Sequence, residues 1–562
     1  MQVIRGDLSS LGVVYTPREV TEPMTRLALE PVMRGRSIDE LSALRICDPA
    51  VGEGAFLLAA VRVLRDQLVH LGLDPAEAQA RATRTIHGVD VDARAVDAAR
   101  AATGAGAAQL QVGDALAIDW PAAFPPVFAR GGFDAVLGNP PYVRHEHLGA
   151  QKPRLRGFAS YHGVADLYVY FIELAHRLAR PGGRFCLITP NKWLTCAYGR
   201  ALRSHLANQA SVEGVVDLGR TALFGATDAF PCIVWGTVGV AREAPIQAAR
   251  LAAGARVGLA GVGAPHPREA WRAGPWHIDP PDDRALIDRL AARWPPLHAC
   301  VAERPTRGVV TGCNRAFVLD RATRDRLLAA EPGAGAVIRP FIKGRDLRPW
   351  RPAAPERWIL LIDRGTSLDS LPGVAAHLSQ FRALLEPRTG DAPAGAGRKP
   401  GRYRWHELQD QVGAQVKSHA PRLLYQDIQS GPLCCLDRDG ALVPDTTVWM
   451  LPSDDLFLLA VLSSPLYGWY ARRRFPPALN GSVRPKAPYL RQLPIATPAP
   501  GLRAAIEALV AQRIELAAPR GEPLDARALD AQTRVLDAAI AHAVLEAYEL
   551  TGAERARIAA PG

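Results

Sequence analysis

The first 240 residues alternate short apolar runs with segments that have helical periodicity. Segments rich in apolar residues at 44–48, 86–92, 110–115, 133–137 and 185–189 predict strands. Helical spacing follows several of these runs, to about residue 70 after the first run and over residues 95–101 and 166–180. Strands that alternate with helices are typical of an α/β fold with a parallel sheet, in which ligands bind beyond the carboxyl ends of the strands.

A further helix is predicted before the first strand. Apolar side chains at Val20, Met24 and Leu27 lie on one face of this helix. Thr16 is predicted to be its N-cap, with Pro17 at the first helical position. At the other end of the region, residues 215–235 predict two strands joined by a loop.

The character of the sequence changes after residue 240. Residues 241–272 are rich in Ala, Gly and Pro, which predicts a boundary or linker. Short strands and loops are mixed from residue 276 to about residue 500, and helical spacing returns from residue 501 to about residue 548. We therefore predict three parts: an α/β domain over residues 1–245, a mixed α+β domain over residues 246–500 and a helical tail over residues 501–562.

The composition favours a polyanionic partner and a reducing compartment. The chain has 562 residues, a formal net charge of +11 and a pI of about 9.4, which favours binding to nucleic acid. Its eight cysteines are scattered without a CxxC pair, as expected of reduced thiols in the cytoplasm. The N-terminus lacks an apolar signal core, and no apolar run approaches the ~20 residues of a membrane span, so no membrane association is expected.

The segment Gly-Asn-Pro-Pro-Tyr at residues 138–142 carries the most specific chemistry. Two consecutive prolines have no N–H to donate, so the preceding strand ends there and presents Asn139 at its tip. The amino group of a nucleic-acid base is a poor nucleophile, because its lone pair is delocalised into the ring. The side-chain oxygen of Asn139 and the carbonyl of Pro140 can accept its hydrogens and localise that lone pair, while Tyr142 offers a stacking face. The alternative is a rigid turn after a buried strand.

Three carboxylates fall at successive predicted strand ends, at Asp48, Asp90 and Asp114. Gly52 and Gly54 follow the first strand, where glycine lets the backbone approach a ligand closely. The acidic residue Asp48 at the start of this turn disfavours a pyrophosphate and suits a ligand that carries an ammonium group. Asp90 can hold the two hydroxyls of a ribose, and Asp114 can accept from the amino group of an adenine. Any one of the three could instead cap a helix.

Other residues have simpler interpretations. Asp92 is expected to cap the following helix, and the His-Glu-His run at residues 145–147 is expected to be a solvated loop rather than a metal site. Cys232 lies inside an apolar strand and is expected in the core. Phe224, beside a glycine in a loop, either stacks on an extruded base or packs in the core.

Basic residues alternate with aromatic residues in the second predicted domain, over residues 398–406 and 467–474. Such runs suit contact with phosphates and bases. For either run alone, a solvated charged face is the other interpretation.

In their order along the chain, these motifs resemble those of DNA adenine-N6 methyltransferases in which the methyl-donor motifs come first and the recognition domain last. The resemblance is closest to the Taq-type and Eco57-type restriction-modification methylases. It rests on Tyr-Thr-Pro at 15–17, Asp-Pro-Ala-Val-Gly-Glu-Gly at 48–54, Gly-Val-Asp at 88–90, Gly-Asp at 113–114, Gly-Asn-Pro-Pro-Tyr at 138–142, Ile-Thr-Pro-Asn-Lys-Trp-Leu at 188–194 and Leu-Phe-Gly at 223–225. It extends to Arg-Pro-Phe-Ile-Lys-Gly-Arg-Asp at 339–346 and Leu-Pro at 493–494, and hardly to the tail.

The resemblance implies a Rossmann-like class I methyltransferase domain that uses S-adenosylmethionine, followed by a target-recognition domain. Asp48, Pro49 and Ala50 would line the methionine part of the donor, with Thr16 at its carboxylate. Ala115 departs from the pattern, because relatives often place an aromatic residue there against the donor adenine. The implied donor-binding residues together are Tyr15, Thr16, Asp48, Pro49, Ala50, Gly52, Gly54, Asp90, Val91, Asp114 and Ala115.

The resemblance also implies the target-binding residues. Asn139 and Pro140 would hold the N6 amino group of the target adenine, and Tyr142 and Phe224 would sandwich the flipped base. The expected activity is therefore transfer of a methyl group from S-adenosylmethionine to adenine N6 in double-stranded DNA after base flipping, without a metal.

The expected context is restriction-modification or phage defence. The first donor motif begins near Gly12 and no nuclease pattern is evident, so a separate restriction endonuclease or defence-system partner is the expectation. One alternative is a related methyltransferase for rRNA or protein glutamine, which a long domain after the catalytic part disfavours. The other is a catalytically inactive DNA-binding homologue, which the intact aspartates and Asn139 disfavour.

Overall fold

The computed structural model of the chain describes residues 16–219, 230–239, 243–251, 263–272, 274–388, 397–478, 481–518 and 526–560. The predictions for Tyr15 and Phe224 lie outside these residues. The chain divides into two compact units, Met1–Arg284 and Ala285–Gly562.

The first unit contains a sheet flanked by helices. Its strands are β1 (Ile46–Asp48), β2 (Ile86–Asp90), β3 (Leu110–Val112), β4 (Phe133–Gly138), β5 (Ala179–Pro190), β6 (Ala210–Asp217), β7 (Pro231–Val238), β8 (Ile246–Arg250) and β9 (Ala264–His266). Its helices are α1 (Arg18–Met33), α2 (Ile38–Ser42), α3 (Ala55–His70), α4 (Pro75–Thr83), α5 (Ala93–Thr103), α6 (Trp120–Ala123), α7 (Pro125–Phe128), α8 (Lys152–Leu155), α9 (Tyr168–Leu178) and α10 (Arg200–Gln209).

The sheet has nine strands in the order β3-β2-β1-β4-β5-β7-β6-β8-β9. The strands from β3 to β5 pair in parallel, whereas β7 lies antiparallel between β5 and β6. Strands β1 and β4 are buried along their whole length, which explains their continuous apolar sequences. This arrangement confirms the predicted Rossmann-like α/β fold.

The predicted domain boundary at residues 245/246 falls inside this sheet. Strand β8 pairs in parallel with β6, and β9 pairs antiparallel with β8. The Ala- and Gly-rich composition suggested a linker, but Ile246 and Ala248 are buried against the sheet. The first compact unit consequently extends to Arg284.

The N-terminus of α1 also differs from its prediction. The helix begins at Arg18, so Pro17 occupies the N-cap position, and no side-chain capping bond is formed there. Thr16 is therefore not the cap. Its buried hydroxyl is directed instead to the residue at the tip of β4.

The second unit combines two small sheets with helices, and the division between the units falls within α11. The strands are β10 (Thr306–Arg307), β11 (Val318–Leu319), β12 (Ile338–Ile342), β13 (Arg357–Leu360), β14 (Arg422–Gln426), β15 (Cys434–Asp437), β16 (Val443–Pro444) and β17 (Val448–Leu451). The helices are α11 (Pro281–Arg293), α12 (Leu297–Cys300), α13 (Asn314–Phe317), α14 (Arg321–Ala330), α15 (Pro372–Ser379), α16 (Arg382–Leu385), α17 (Ala414–Lys417), α18 (Leu456–Leu462), α19 (Pro465–Arg474), α20 (Ala487–Leu490), α21 (Pro500–Leu516), α22 (Ala526–Ala547) and α23 (Gly552–Ala559).

The strands form two four-stranded sheets, β10-β17-β14-β15 and β11-β13-β12-β16. The C-terminal helices share one apolar core with α18 and α19, through residues such as Phe457, Trp469, Val510 and Val544. The predicted helical tail is therefore helical, and it is packed into the second unit.

The aromatic residues of the run at 467–474 are buried, and so is Arg398 at the start of the other run. Tyr467, Trp469 and Tyr470 are buried core residues of α19, so they cannot stack on a base. Arg398 is only 3% exposed and donates to five backbone carbonyls. Because an arginine can satisfy several carbonyls at once, Arg398 organises the loop around it instead of facing a phosphate.

Replacement of Arg398 by lysine is expected to lower the free energy of unfolding by about 2–4 kcal/mol, because several buried carbonyls lose their donors. Urea unfolding followed by tryptophan fluorescence measures this change. The same substitution at exposed Arg402 is the matched control and should leave the midpoint almost unchanged. Equal midpoints for the two variants would contradict the assigned role of Arg398.

Candidate active site

The predicted polar residues lie together at the carboxyl edge of the parallel strands. Asp48 ends β1 and Asp90 ends β2, while Asp114 follows β3 and Asn139 follows β4. The strands β3, β2, β1 and β4 are consecutive neighbours in the sheet. The sequence prediction that these residues fall at successive strand ends is thus confirmed.

Asp48 is the most buried of the three aspartates at these strand ends, at 1% exposure. Its Oδ1 accepts a hydrogen bond of 2.9 Å from the backbone N–H of Ala50. Burial raises the pKa of Asp48 to about 7, and the nearby charge of Asp90 acts in the same direction, against the Ala50 hydrogen bond. A buried carboxyl group with such a pKa is typical of a functional site.

Asp48 also lies against the Gly-Asn-Pro-Pro-Tyr segment at the end of β4. A Cβ placed on Gly138 would lie 2.5 Å from Oδ1 of Asp48, so only glycine fits at the end of β4. The carboxylate therefore sits against the backbone that leads into Asn139.

A hydrogen bond connects the turn after β1 to Asp90 at the end of β2. The backbone N–H of Gly52 donates to Oδ2 of Asp90 at 2.8 Å, and that of Asp92 donates to Oδ1 at 3.0 Å. Gly54 has a φ of +85° at the start of α3, a conformation that favours glycine. Asp92 caps α5 through the N–H of Arg94, as predicted.

An exposed apolar side chain follows Asp90. Val91, directly after β2, is 60% exposed, whereas Val89 within β2 is fully buried. The carboxyl edge at β2 therefore presents a carboxylate beside an apolar surface.

Asp114 is held by a residue that the sequence did not suggest. Its Oδ1 accepts from the N–H of Leu116 at 3.0 Å, and its Oδ2 accepts from Nη2 of Arg154 at 2.7 Å. Ala115 next to it is buried, and its carbonyl accepts from Nε1 of Trp120. Arg154 lies 40 residues further along the chain, so no local pattern could have linked it to Asp114.

Asn139 and Thr16 are in contact. Nδ2 of Asn139 donates to Oγ1 of Thr16 at 3.0 Å, and Thr16 is 5% exposed. The residue expected at the donor carboxylate and the residue expected at the target amino group are therefore immediate neighbours.

Tyr142 belongs to an aromatic cluster. Its ring lies edge-to-face with Tyr168 at a centroid distance of 6.3 Å. The hydroxyl of Tyr168 is hydrogen-bonded to that of Tyr198 at 2.7 Å, and burial raises the pKa of all three hydroxyls. Cys232 is fully buried with a pKa raised to about 12, so the prediction of a core position is confirmed.

Polar residues at the ends of β5 and β6 lie at the same edge of the sheet. Asn191, directly after β5, donates from Nδ2 to Oδ1 of Asp217 at 3.1 Å. The other oxygen of Asp217 accepts from Nε of Arg250 at 3.1 Å, although Asp217 is only 3% exposed. Sequence reasoning missed Asp217, but its position at the end of an apolar strand was the signal that could have identified it.

Comparisons with known proteins find similar restriction-modification methylases. Residues 107–224 match the model of the Eco57I restriction-modification methylase family. The chain is 25% identical to the Type II methyltransferase M.BstVI of Geobacillus stearothermophilus, over 87% of this chain and 90% of that protein. It is 27% identical to the Type II methyltransferase M.PaeR7I of Pseudomonas aeruginosa, over 87% and 86%.

A solved structure supports the fold over both units. The Type IIL restriction-modification enzyme MmeI, determined in complex with DNA, matches with a TM-score of 0.65 at 15% identity, over 98% of this chain and 78% of that chain. The chain thus shares its fold with that enzyme, and residues 107–224 resemble the Eco57I-type methylases, as the motifs indicated. Among the described helices, none is both long and apolar enough to cross a membrane.

Proposed function

We propose that this protein is a site-specific DNA methyltransferase that transfers a methyl group from S-adenosylmethionine to the N6 amino group of adenine. The observation that carries the proposal is the contact of two sites at adjacent strand ends. Asp48 lies against Gly138, and Asn139 at the next position donates to Thr16. A donor methyl group and a target amino group would meet where these residues meet.

The residues at the strand ends fit the chemistry of the donor. Asp48 offers a carboxylate for a cationic group, and the turn from Pro49 to Gly54 brings the backbone close. Asp90 would hold the ribose, with exposed Val91 beside it as an apolar contact. Asp114 would accept from the amino group of the donor adenine. When bound, the donor supplies an electrophilic methyl group on a sulfonium.

Asn139 and Pro140 would hold the target amino group. If both oxygens accept its hydrogens, the nitrogen lone pair is localised and directed at the methyl group. The amino nitrogen would gain the methyl group as the S–C bond breaks, the electron pair of that bond would stay on the sulfur, and the nitrogen would then lose one proton to solvent. Catalysis would then consist of orientation and polarisation by fixed groups. Tyr142, held by Tyr168, would stack on the flipped base.

Double-stranded DNA is the proposed partner, and the second unit is the proposed recognition domain. The relatives M.BstVI and M.PaeR7I are Type II methyltransferases, and MmeI was determined with DNA. Exposed cations of the second unit, including Arg345, Lys399, Arg402 and Lys486, suit phosphate contacts. We propose that the protein is the modification component of a restriction-modification or phage-defence system.

Methyl transfer from labelled S-adenosylmethionine tests the proposal against its alternatives. Unmodified duplex DNA, rRNA and total protein are offered in parallel, and we expect label only in the DNA. Label in rRNA or in protein would reject the DNA assignment. Donor binding without transfer to any of them would indicate that a partner is missing, and a lack of donor binding would favour an inactive DNA-binding homologue.

The pH dependence of donor binding follows from Asp48. Its pKa of about 7 means that the carboxyl group becomes neutral as the pH falls below 7, and a neutral group attracts the donor ammonium less. The dissociation constant of S-adenosylmethionine should rise about five- to tenfold between pH 7.5 and pH 6. Isothermal titration at each pH measures it, and Asp48→Asn should remove the dependence. A flat profile in the unmodified protein would contradict this role of Asp48.

A further inference from the structure

The chain that follows the catalytic motif crosses to another strand end. We call residues 143–158 the strap. It starts directly after Tyr142 at the tip of β4, and its residue Arg154 reaches Asp114 beyond the end of β3. Strands β2 and β1, which end in Asp90 and Asp48, lie between β3 and β4, so the bond from Arg154 to Asp114 connects the two outer strand ends of this group of four.

The strap is anchored at several points. Leu148, Leu155 and Phe158 are buried in the core of the first unit, at exposures of 1%, 0% and 9%. At its start, the N–H of Leu167 donates to the carbonyl of Val143 at 3.0 Å. The strap is therefore a packed element, and the path of α8 within it is fixed on both sides of Arg154.

Arg154 is the polar connection between the strap and the donor site. Its side chain is 41% exposed, and that of Asp114 is 37% exposed. The bond occupies one position on Oδ2 of Asp114, while a carboxylate oxygen can accept from more than one donor. Asp114 is thus held in one orientation by the N–H of Leu116 on one oxygen and by Arg154 on the other, and it can still accept from an amino group.

We propose that Arg154 is a positioning residue for the methyl donor. It orients the Asp114 carboxylate toward the amino group of the donor adenine and ties the strap to that carboxylate. This inference rests on the proposed function, because it assigns the donor adenine to Asp114. Arg154 would thus be a further residue of the donor pocket. It comes from the strap, the segment that directly follows the target-base motif.

The test is Arg154→Ala, with two further variants. Arg156→Ala is the matched control, since Arg156 is an exposed arginine two positions along the same strap. Arg154→Lys retains a positive charge and a donor. For Arg154→Ala we expect the KM for S-adenosylmethionine and the dissociation constant of S-adenosylhomocysteine to rise about fivefold. The kcat and the KM for DNA should stay within twofold, and Arg154→Lys should recover most of the donor affinity.

These variants distinguish a positioning role of Arg154 from a purely structural one. Unchanged donor affinity, an equal effect of Arg156→Ala, or tighter donor binding after loss of Arg154 would each overturn the proposal. A fall in the thermal midpoint of Arg154→Ala that Arg154→Lys restores without restoring donor affinity would indicate a structural role and overturn it as well. If the unmodified protein binds neither S-adenosylmethionine nor S-adenosylhomocysteine, the proposed function itself fails.

Discussion

Replacement of Asn139 by alanine is expected to lower methyl transfer by at least 10²- to 10³-fold while the donor still binds. The alanine removes the side-chain oxygen that would accept from the target amino group, and loss of one such preorganised group has effects of this size. Donor affinity should change by only a few-fold, because the substitution leaves the aspartates at the other strand ends in place. Single-turnover transfer to DNA and titration with S-adenosylhomocysteine measure the two effects separately.

Asn208→Ala is the control for this experiment. Asn208 is an exposed residue of α10 whose side chain bonds only weakly to Ser204, at 3.4 Å. It should keep full activity. If Asn139→Ala lost donor binding together with activity, the assignment of Asn139 to the target base would be wrong. If Asn139→Ala still transferred methyl groups at the normal rate, Asn139 would have no catalytic role.

Replacement of Asp48 by asparagine is expected to weaken donor binding about 10²- to 10³-fold. The asparagine keeps an oxygen for the N–H of Ala50 and nearly the same shape, so the packing against Gly138 is preserved. It removes the only charge of the side chain, and loss of one member of a buried ion pair is costly. Equilibrium binding of S-adenosylmethionine above pH 7.5, where Asp48 is ionised, gives the largest difference.

The same substitution should stabilise the protein without donor. Burial raises the pKa of Asp48 to about 7, above the ~3.9 of an unfolded aspartate. Between these values the folded protein binds more protons than the unfolded chain, so the ionised carboxylate costs stability as the pH rises toward 7. Asp48→Asn should therefore increase the free energy of unfolding by about 2–4 kcal/mol at pH 8, and the gain should disappear near pH 4.

The control is Asp39→Asn, because the side chain of Asp39 is 94% exposed. It removes the same charge from the surface and should affect neither donor binding nor the pH dependence of stability. Normal donor affinity of Asp48→Asn would contradict the assignment of Asp48 to the donor site. A lower stability at pH 8 would contradict the burial cost that we assign to Asp48.

Strand-end residues were predictable from sequence because their signals are local. An apolar run followed by a polar residue or by Pro-Pro determines where a strand ends, and parallel strands place those ends at one edge. Asp48, Asp90, Asp114 and Asn139 were found in this way, and the structure brings them to neighbouring strands.

The remaining features depend on contacts between distant segments. Thr16 had the local pattern of a helix cap, yet its hydroxyl bonds Asn139, 123 residues away. Arg398 had the local pattern of a phosphate-binding loop, yet backbone carbonyls from several segments surround it. Neither the partner of Arg154 nor the strands after residue 245 could be derived from periodicity, since both depend on which segments pack together.

Nucleoside analysis of methylated DNA is the decisive measurement for the proposed activity. Unmodified duplex DNA is incubated with the protein and S-adenosylmethionine, digested to nucleosides and examined by mass spectrometry, and the modified positions are mapped. We predict N6-methyladenine within one short sequence motif, and none with Asn139→Ala. Methylation at cytosine would contradict the assignment of the target base, and DNA without any methylated base would contradict the proposed activity.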